Sequence, residues 1–218
     1  MKRRDFSAQL IAAGFGGVAL ACNGGAAAQG GTPVEGTHYV KLGQPLPVPP
    51  GGKIEVIEFF WYGCPHCNSF EPALDSWTKT LPADVSFRRV PVSFRDEPFG
   101  AHQRIYYALE VLEAIPAMHR KVFAAIHVDH ARLDKLPEIA AFMAKNGVDG
   151  AKFSETFNSF GVQTKARQAK QLAEAYRIDG VPALGIQGRF YTSGTLAGNA
   201  ERSLAVTDYL IERVRKNT

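Results

Sequence analysis

The sequence predicts an α/β fold whose sheet is interrupted by a long all-helical insertion, and three stretches predict it. Residues 55–67 carry an apolar strand straight into Cys64-Pro65-His66-Cys67. Residues 95–178 hold five helical patterns and almost no strand signal. From Gly180 the chain returns to short strands and closes on an amphipathic helix. Five helices between two strands exceed what a crossover needs, so most of them form a subdomain inserted in the α/β unit.

Taken in order, the first 28 residues read as an export signal. Lys2, Arg3 and Arg4 precede an apolar run over residues 6–21 that is too short and too weakly flanked to span a bilayer. Ala26-Ala27-Ala28 supplies small residues for cleavage before Gln29. Arg3-Arg4-Asp5-Phe6 also resembles a twin-arginine signal, which leaves the export route open. A lipid anchor at Cys22 would want a leucine three positions ahead, where Ala19 stands, so removal of Cys22 with the signal is the expectation. The mature chain then carries only Cys64 and Cys67, in keeping with a compartment where disulfides are made.

In the mature chain, residues 30–36 form a flexible lead, 37–42 alternate enough for a short strand, and 45–52 are a proline and glycine loop. After the central strand, a helix is expected over 65–80, with a kink where Pro72 removes a donor. Residues 84–92 read as the next strand, which a right-handed crossover places parallel to the first. Helices are expected at 99–114, 116–127, 136–145, 150–160 and 162–176, with Pro116 and Pro137 near starts and Gly147 near an end. Strands at 183–186 and 189–192 turn through Gln187-Gly188 as an antiparallel hairpin, and Asn199 caps a last helix over 200–215.

Composition bounds the partners. With 45% hydrophobic residues, the about 190 mature residues suffice for one well-packed core. The net charge of +4 falls to +2 when Lys2, Arg3, Arg4 and Asp5 leave with the signal, which argues against nucleic acid as a partner. The basic tail over 213–216 suits a helix C-terminus.

The chemistry lies at the end of the central strand. Over residues 56–62 both period-2 faces are apolar except at Glu58, the mark of a strand buried on both sides. Gly63 ends it. Pro65 sits where proline is favoured, at the first position of a helix, so Cys64 falls at the N-cap and Cys67 one turn further on. A thiolate at Cys64 then faces free backbone N–H groups and the positive end of the helix dipole, which lowers its pKa. His66 adds an imidazole able to donate to that thiolate or pair with its charge. A low thiol pKa stabilises the dithiol and makes Cys64 a good leaving group, so the disulfide form oxidises other thiols.

Other uses of two close cysteines fit less well. Structural zinc needs four ligands, yet the remaining cysteine is Cys22, and His127 and His130 are spaced too closely for the usual histidine pair. Covalent haem attachment needs histidine directly after the second cysteine, where Asn68 stands. A structural disulfide has no need of a short loop at a helix start.

Strand, strand, Cys-x-x-Cys helix, strand, helical insertion, Val-Pro, hairpin and helix: this order resembles the thioredoxin fold with a helical insertion, and specifically the DsbA family of exported thiol:disulfide oxidoreductases, over essentially the whole mature chain. The resemblance divides the sequence into a signal peptide at 1–28, a thioredoxin-like domain in two parts at 29–95 and 176–218, and an inserted helical subdomain at 96–175. It implies that Cys64-Pro65-His66-Cys67 is the redox motif. It further implies that Val181-Pro182 is a loop whose proline is cis and packs against the disulfide, leaving backbone groups free for an extended substrate peptide. Glu58, six residues before the first cysteine, matches the family's buried acid, and Glu71 and Arg89 match charged residues around it. Burial should raise the Glu58 pKa and let it tune the cysteines; a carboxylate merely satisfied by Arg89 is the alternative.

The implied activity is oxidation of cysteine pairs in newly exported proteins, unfolded or still folding. The agent would be a periplasmic monomer that needs no cofactor beyond its own Cys64–Cys67 disulfide and is reoxidised by a DsbB-like membrane partner. Two rival readings stand beside it. The first is a disulfide isomerase or reductase on the same fold; an exported isomerase would be expected to carry an N-terminal dimerisation domain, where only about 25 mature residues precede the central strand. A peptide-binding chaperone would go on binding after loss of both cysteines.

Overall fold

The computed structural model describes residues 31–95 and 97–216. The expected signal at 1–28 and Cys22 lie outside them. Strands β1 (Val40–Lys41), β2 (Ile54–Phe60), β3 (Val85–Pro91), β4 (Ala183–Ile186) and β5 (Phe190–Ser193) form one mixed sheet in the order β1-β5-β4-β2-β3. Helix α1 (Pro65–Thr78) is the crossover from β2 to its parallel neighbour β3, while β4 runs antiparallel to β2 on the other side. With a strand on each edge and a layer on each face, all seven residues of β2 are buried. Helices α2 (Phe99–Val111), α3 (Ile115–His127), α4 (Leu136–Lys145), α5 (Gly150–Asn158) and α6 (Phe160–Ala175) lie in the chain between β3 and β4. A single turn, α7 (Gly194–Ala197), and a long helix, α8 (Ala200–Arg215), follow β5.

The sheet separates two apolar layers, as the alternation of side chains along a strand requires. On one side, Ile57 and Phe59 of β2 join Ile105, Leu109, Met118, Phe123, Ile139 and Phe153, so the insertion shares the core of the sheet. On the other side, Val56, Leu184 and Ile186 meet Leu74 of α1 and Val206, Leu210, Ile211 and Val214 of α8. Each such side chain, fully buried, contributes about 1.5–3 kcal/mol. Gly185 of β4 admits this packing: a Cβ there would lie 2.7 Å from the Tyr176 ring and 3.0 Å from Phe59.

The structure corrects several expected boundaries. Only Val40 and Lys41 pair with β5, because residues 34–39 close a turn in which the His38 N–H bonds to the Val34 carbonyl, so the strand expected over 37–42 is cut to two residues. Ser159 ends α5 and its hydroxyl also accepts from the Val162 N–H to start α6, which moves that helix start forward to Phe160. The helical turn α7 was not expected; Ser193 caps it and Gly198, at φ 101°, ends it.

Candidate active site

Strand β2 delivers the chain to Trp61, Tyr62 and Gly63, and a turn closed by the Cys64 N–H to the Trp61 carbonyl (3.0 Å) redirects it into α1. A side chain at position 63 is excluded, since a Cβ there would fall 2.3 Å from the Trp61 indole, which stacks on Phe99 at 4.1 Å. Cys64 is the N-cap, with extended backbone (φ −86°, ψ 117°), and Pro65 opens the helix. The Cys64 sulfur accepts from the Cys67 N–H at 3.4 Å. Both cysteines are free thiols, Cys64 7% exposed and Cys67 wholly buried, so only the first offers an edge to an incoming sulfur.

The two thiols are driven apart. The Cys67 thiol, donating to the Cys64 sulfur, does most to lower the Cys64 pKa to about 6; the N–H groups of Cys67 and His66 and the charge of His66 assist, against burial. Cys67 is pushed well above the ordinary thiol value, first by burial and then by Cys64 itself. At neutral pH the pair holds one proton, and it is on Cys67.

Residues far along the chain close the other side of the turn. The Val181–Pro182 bond is cis, and the Val181 carbonyl oxygen lies 3.4 Å from the Cys64 sulfur, accepting from it when Cys64 is in the thiol form. A cleft of about 500 Å³ opens beside it, lined among others by His66, Val181, Pro182, Tyr191, Thr195 and Leu196. Exposed His66 thus faces the cleft from the cysteine side and α7 closes it from the other.

Behind the turn lies a buried charge cluster. Glu58 and Arg89 are register partners on the parallel strands β2 and β3, which puts both side chains on the α1 side. The Arg89 Nε donates to Glu58 Oε2 at 3.0 Å, and a terminal nitrogen donates to Glu71 Oε2 at 3.0 Å and to Asp75 Oδ1 at 2.8 Å. Glu58 and Glu71 are both wholly buried. The desolvated site and the negative charge of Glu71 push Glu58 up to about 8, with Arg89 only partly opposing them. Burial also acts to raise Glu71, but His119 and Arg89 outweigh it and its pKa ends below the ordinary carboxylate value. Removing one partner from such a buried arrangement leaves an uncompensated charge, which costs about 3–5 kcal/mol.

Every expected site residue therefore falls into one of two adjoining groups: Cys64, Pro65, His66, Cys67, Val181 and Pro182 around the turn, and Glu58, Glu71 and Arg89 behind it. Sequence reasoning missed His119 of α3, whose ring lies 3.0 Å from Glu71 and 2.8 Å from the Tyr62 hydroxyl. It also missed His127, whose Nε2 donates to the Tyr62 carbonyl at 2.8 Å and so steadies the chain just before the cysteines. The signal available was a histidine embedded in the buried stripe of Met118, Val122 and Phe123.

Comparison with known proteins agrees with this geometry. The model of the DSBA-like thioredoxin domain matches residues 55–204. The thiol:disulfide interchange protein DsbA of Bordetella pertussis is 43% identical over 218 residues, covering 99% of this chain and all of that protein. The protein of that name from Pseudomonas aeruginosa is 42% identical over 198 residues, 91% of this chain and 93% of its own. The crystal structure of Pseudomonas aeruginosa DsbA superimposes with a TM-score of 0.81, covering 84% of this chain and 95% of that one. A chain so similar from end to end, with its two cysteines at the head of α1 and a cis proline beside them, belongs to the DsbA family of the thioredoxin superfamily.

Proposed function

We infer that this thiol:disulfide oxidoreductase runs in the oxidising direction, passing its Cys64–Cys67 disulfide to cysteine pairs of exported proteins. The observation that carries this reading is the opposed acidity of the two thiols. In the oxidised protein a substrate thiolate attacks the Cys64 sulfur. The Cys64–Cys67 bond breaks, its electron pair goes to Cys67, which takes up a proton, and substrate and Cys64 are joined in a mixed disulfide. A second substrate thiolate then attacks the substrate's own sulfur, and Cys64 leaves as a thiolate. The substrate has lost two electrons and departs with a disulfide; the protein has gained them. With its pKa at about 6, Cys64 departs at neutral pH without needing a proton, which favours both the second step and the reduced product.

His66, Val181 and Pro182 border the cleft in which an extended peptide would lie beside Cys64. Reoxidation by a DsbB-like membrane oxidase, a periplasmic location, action as a monomer and freedom from any cofactor complete the reading. It is supported by the export signal expected from the sequence and by a cysteine pair whose disulfide would suffice for the chemistry. Equilibration with glutathione tests it. The dithiol form should already dominate in mixtures oxidising enough to keep a structural disulfide closed, and a pair that stays oxidised there overturns the direction proposed.

A further inference from the structure

The cluster behind the cysteine turn holds two wholly buried carboxyls and a single arginine between them, so one carboxyl is left to keep a proton. The hydrogen bonds choose which. Glu71 has a donor on each oxygen, His119 at 3.0 Å on Oε1 and Arg89 at 3.0 Å on Oε2. Glu58 has one, Arg89 on Oε2, and its Oε1 is buried without a partner.

His119 itself is held by Tyr62. The buried phenol stays protonated, since burial pushes its pKa far up, and its oxygen lies 2.8 Å from His119 Nδ1. Glu71, held below the ordinary carboxylate value, can only accept, so His119 Nε2 carries the hydrogen given to it and Nδ1 of the neutral ring accepts from the Tyr62 O–H. The ring is enclosed by Phe60, Tyr106 and Phe123. The charged and titratable groups acting on these side chains are Glu58 of β2, Glu71 and Asp75 of α1, Arg89 of β3, Arg120 of α3, Tyr62 and Tyr106. Burial outweighs the carboxylates and keeps the imidazole neutral.

We propose that His119, held in its Nε2–H form by Tyr62, is the positioning residue that fixes the negative charge on Glu71 and leaves the proton on Glu58. This deepens the oxidase reading and rests on it. The charge of Glu58 bears on Cys67, so a Cys67 thiolate set free when the disulfide opens meets a neutral acid instead of a second anion.

The test is titration of the assigned carboxyl carbons of Glu58 and Glu71 by nuclear magnetic resonance in the oxidised protein, which leaves both carboxyls in place. In the parent, Glu58 should titrate above Glu71. In a His119→Leu variant the order should reverse, and His119→Gln, which keeps an N–H donor for Glu71, should restore the parent order. Glu58 still titrating above Glu71 in the His119→Leu variant overturns the proposal. If His119→Leu does not fold, the order in the parent decides it, and Glu71 titrating above Glu58 there overturns it. None of these readings involves turnover, so they stand or fall separately from the glutathione equilibrium.

Discussion

The cysteine turn and the charge cluster behind it reach opposite results with different materials. At the turn, every group that acidifies Cys64 lies within residues 64–67: the Cys67 thiol, two backbone N–H groups and the His66 charge. In the cluster, Glu58 of β2 holds its proton through burial and the charges of Glu71 and Asp75 of α1, against the opposing pull of Arg89 of β3. The first result follows from the direction of one short piece of chain and survives changes in packing. The second is a balance of side chains from several elements, and any one substitution tips it. One helix can thus present an acidic thiol at its tip and shelter a reluctant carboxyl beside its second turn.

Substitutions at the cysteines give the largest effects. Cys67→Ser should stop turnover and, given a substrate disulfide to attack, accumulate substrate joined to Cys64, visible on a non-reducing gel, while Cys64→Ser should form no adduct. Adducts on Cys64→Ser would end the division of labour between the two thiols. Next comes Arg89→Met, which strands two buried carboxyls and should lower stability by about 3–5 kcal/mol in a denaturant titration. The Cys64 titration, followed by thiolate absorbance, should scarcely move, and a large movement would mean that the two regions are one.

Glu58→Gln should act in the opposite sense and raise stability by about 1–4 kcal/mol, because the amide needs no proton and no cation. The pH dependence sharpens this. The Glu58 pKa is raised from 4.5 to about 8 on folding, so its contribution is complete below 4.5 and is lost as pH rises to about 8. The oxidised parent should therefore lose stability across that range and the variant should not. Cys64 has the reverse sign: its pKa is lowered from 9.0 to about 6, so its contribution is present above 9.0 and is lost as pH falls to about 6. The stability of the dithiol form relative to the disulfide form should then climb from about pH 6 to 9.0, as denaturant midpoints of the two forms would record. The smallest effect belongs to His66→Ala. Its charge is the last of the causes acting on Cys64, so the thiol pKa, read from alkylation rates, should rise but stay well below 9.0.

What could be read from sequence divides along the same line. Cys64, Pro65 and Cys67 are contiguous, so helix start, cap and thiol direction all follow from local rules. Glu58 was visible because it breaks an apolar pattern, and Arg89 and Glu71 entered through the family resemblance. His119 is 48 positions from Glu71 and lies on an apolar helix face, where a histidine looks like ordinary core. Tyr62 read as one more apolar residue of the strand, its hydroxyl gaining meaning only once α3 is folded against it. Thr195 and Leu196 of the cleft were missed with α7, a single turn too short for any periodicity to announce.

The apolar layer that β2 shares with helices α2 to α6 has a consequence for how the molecule comes apart. The insertion owns no separate interior, so its helices cannot lose their packing without uncovering Ile57 and Phe59 of the sheet. Melting is then cooperative across the sheet and the insertion, although the chain leaves the sheet for some ninety positions in between. The two tryptophans sit on either side of that sheet, Trp61 against Phe99 and Trp77 bonded to Asp208 of α8, and their emission should report the same transition.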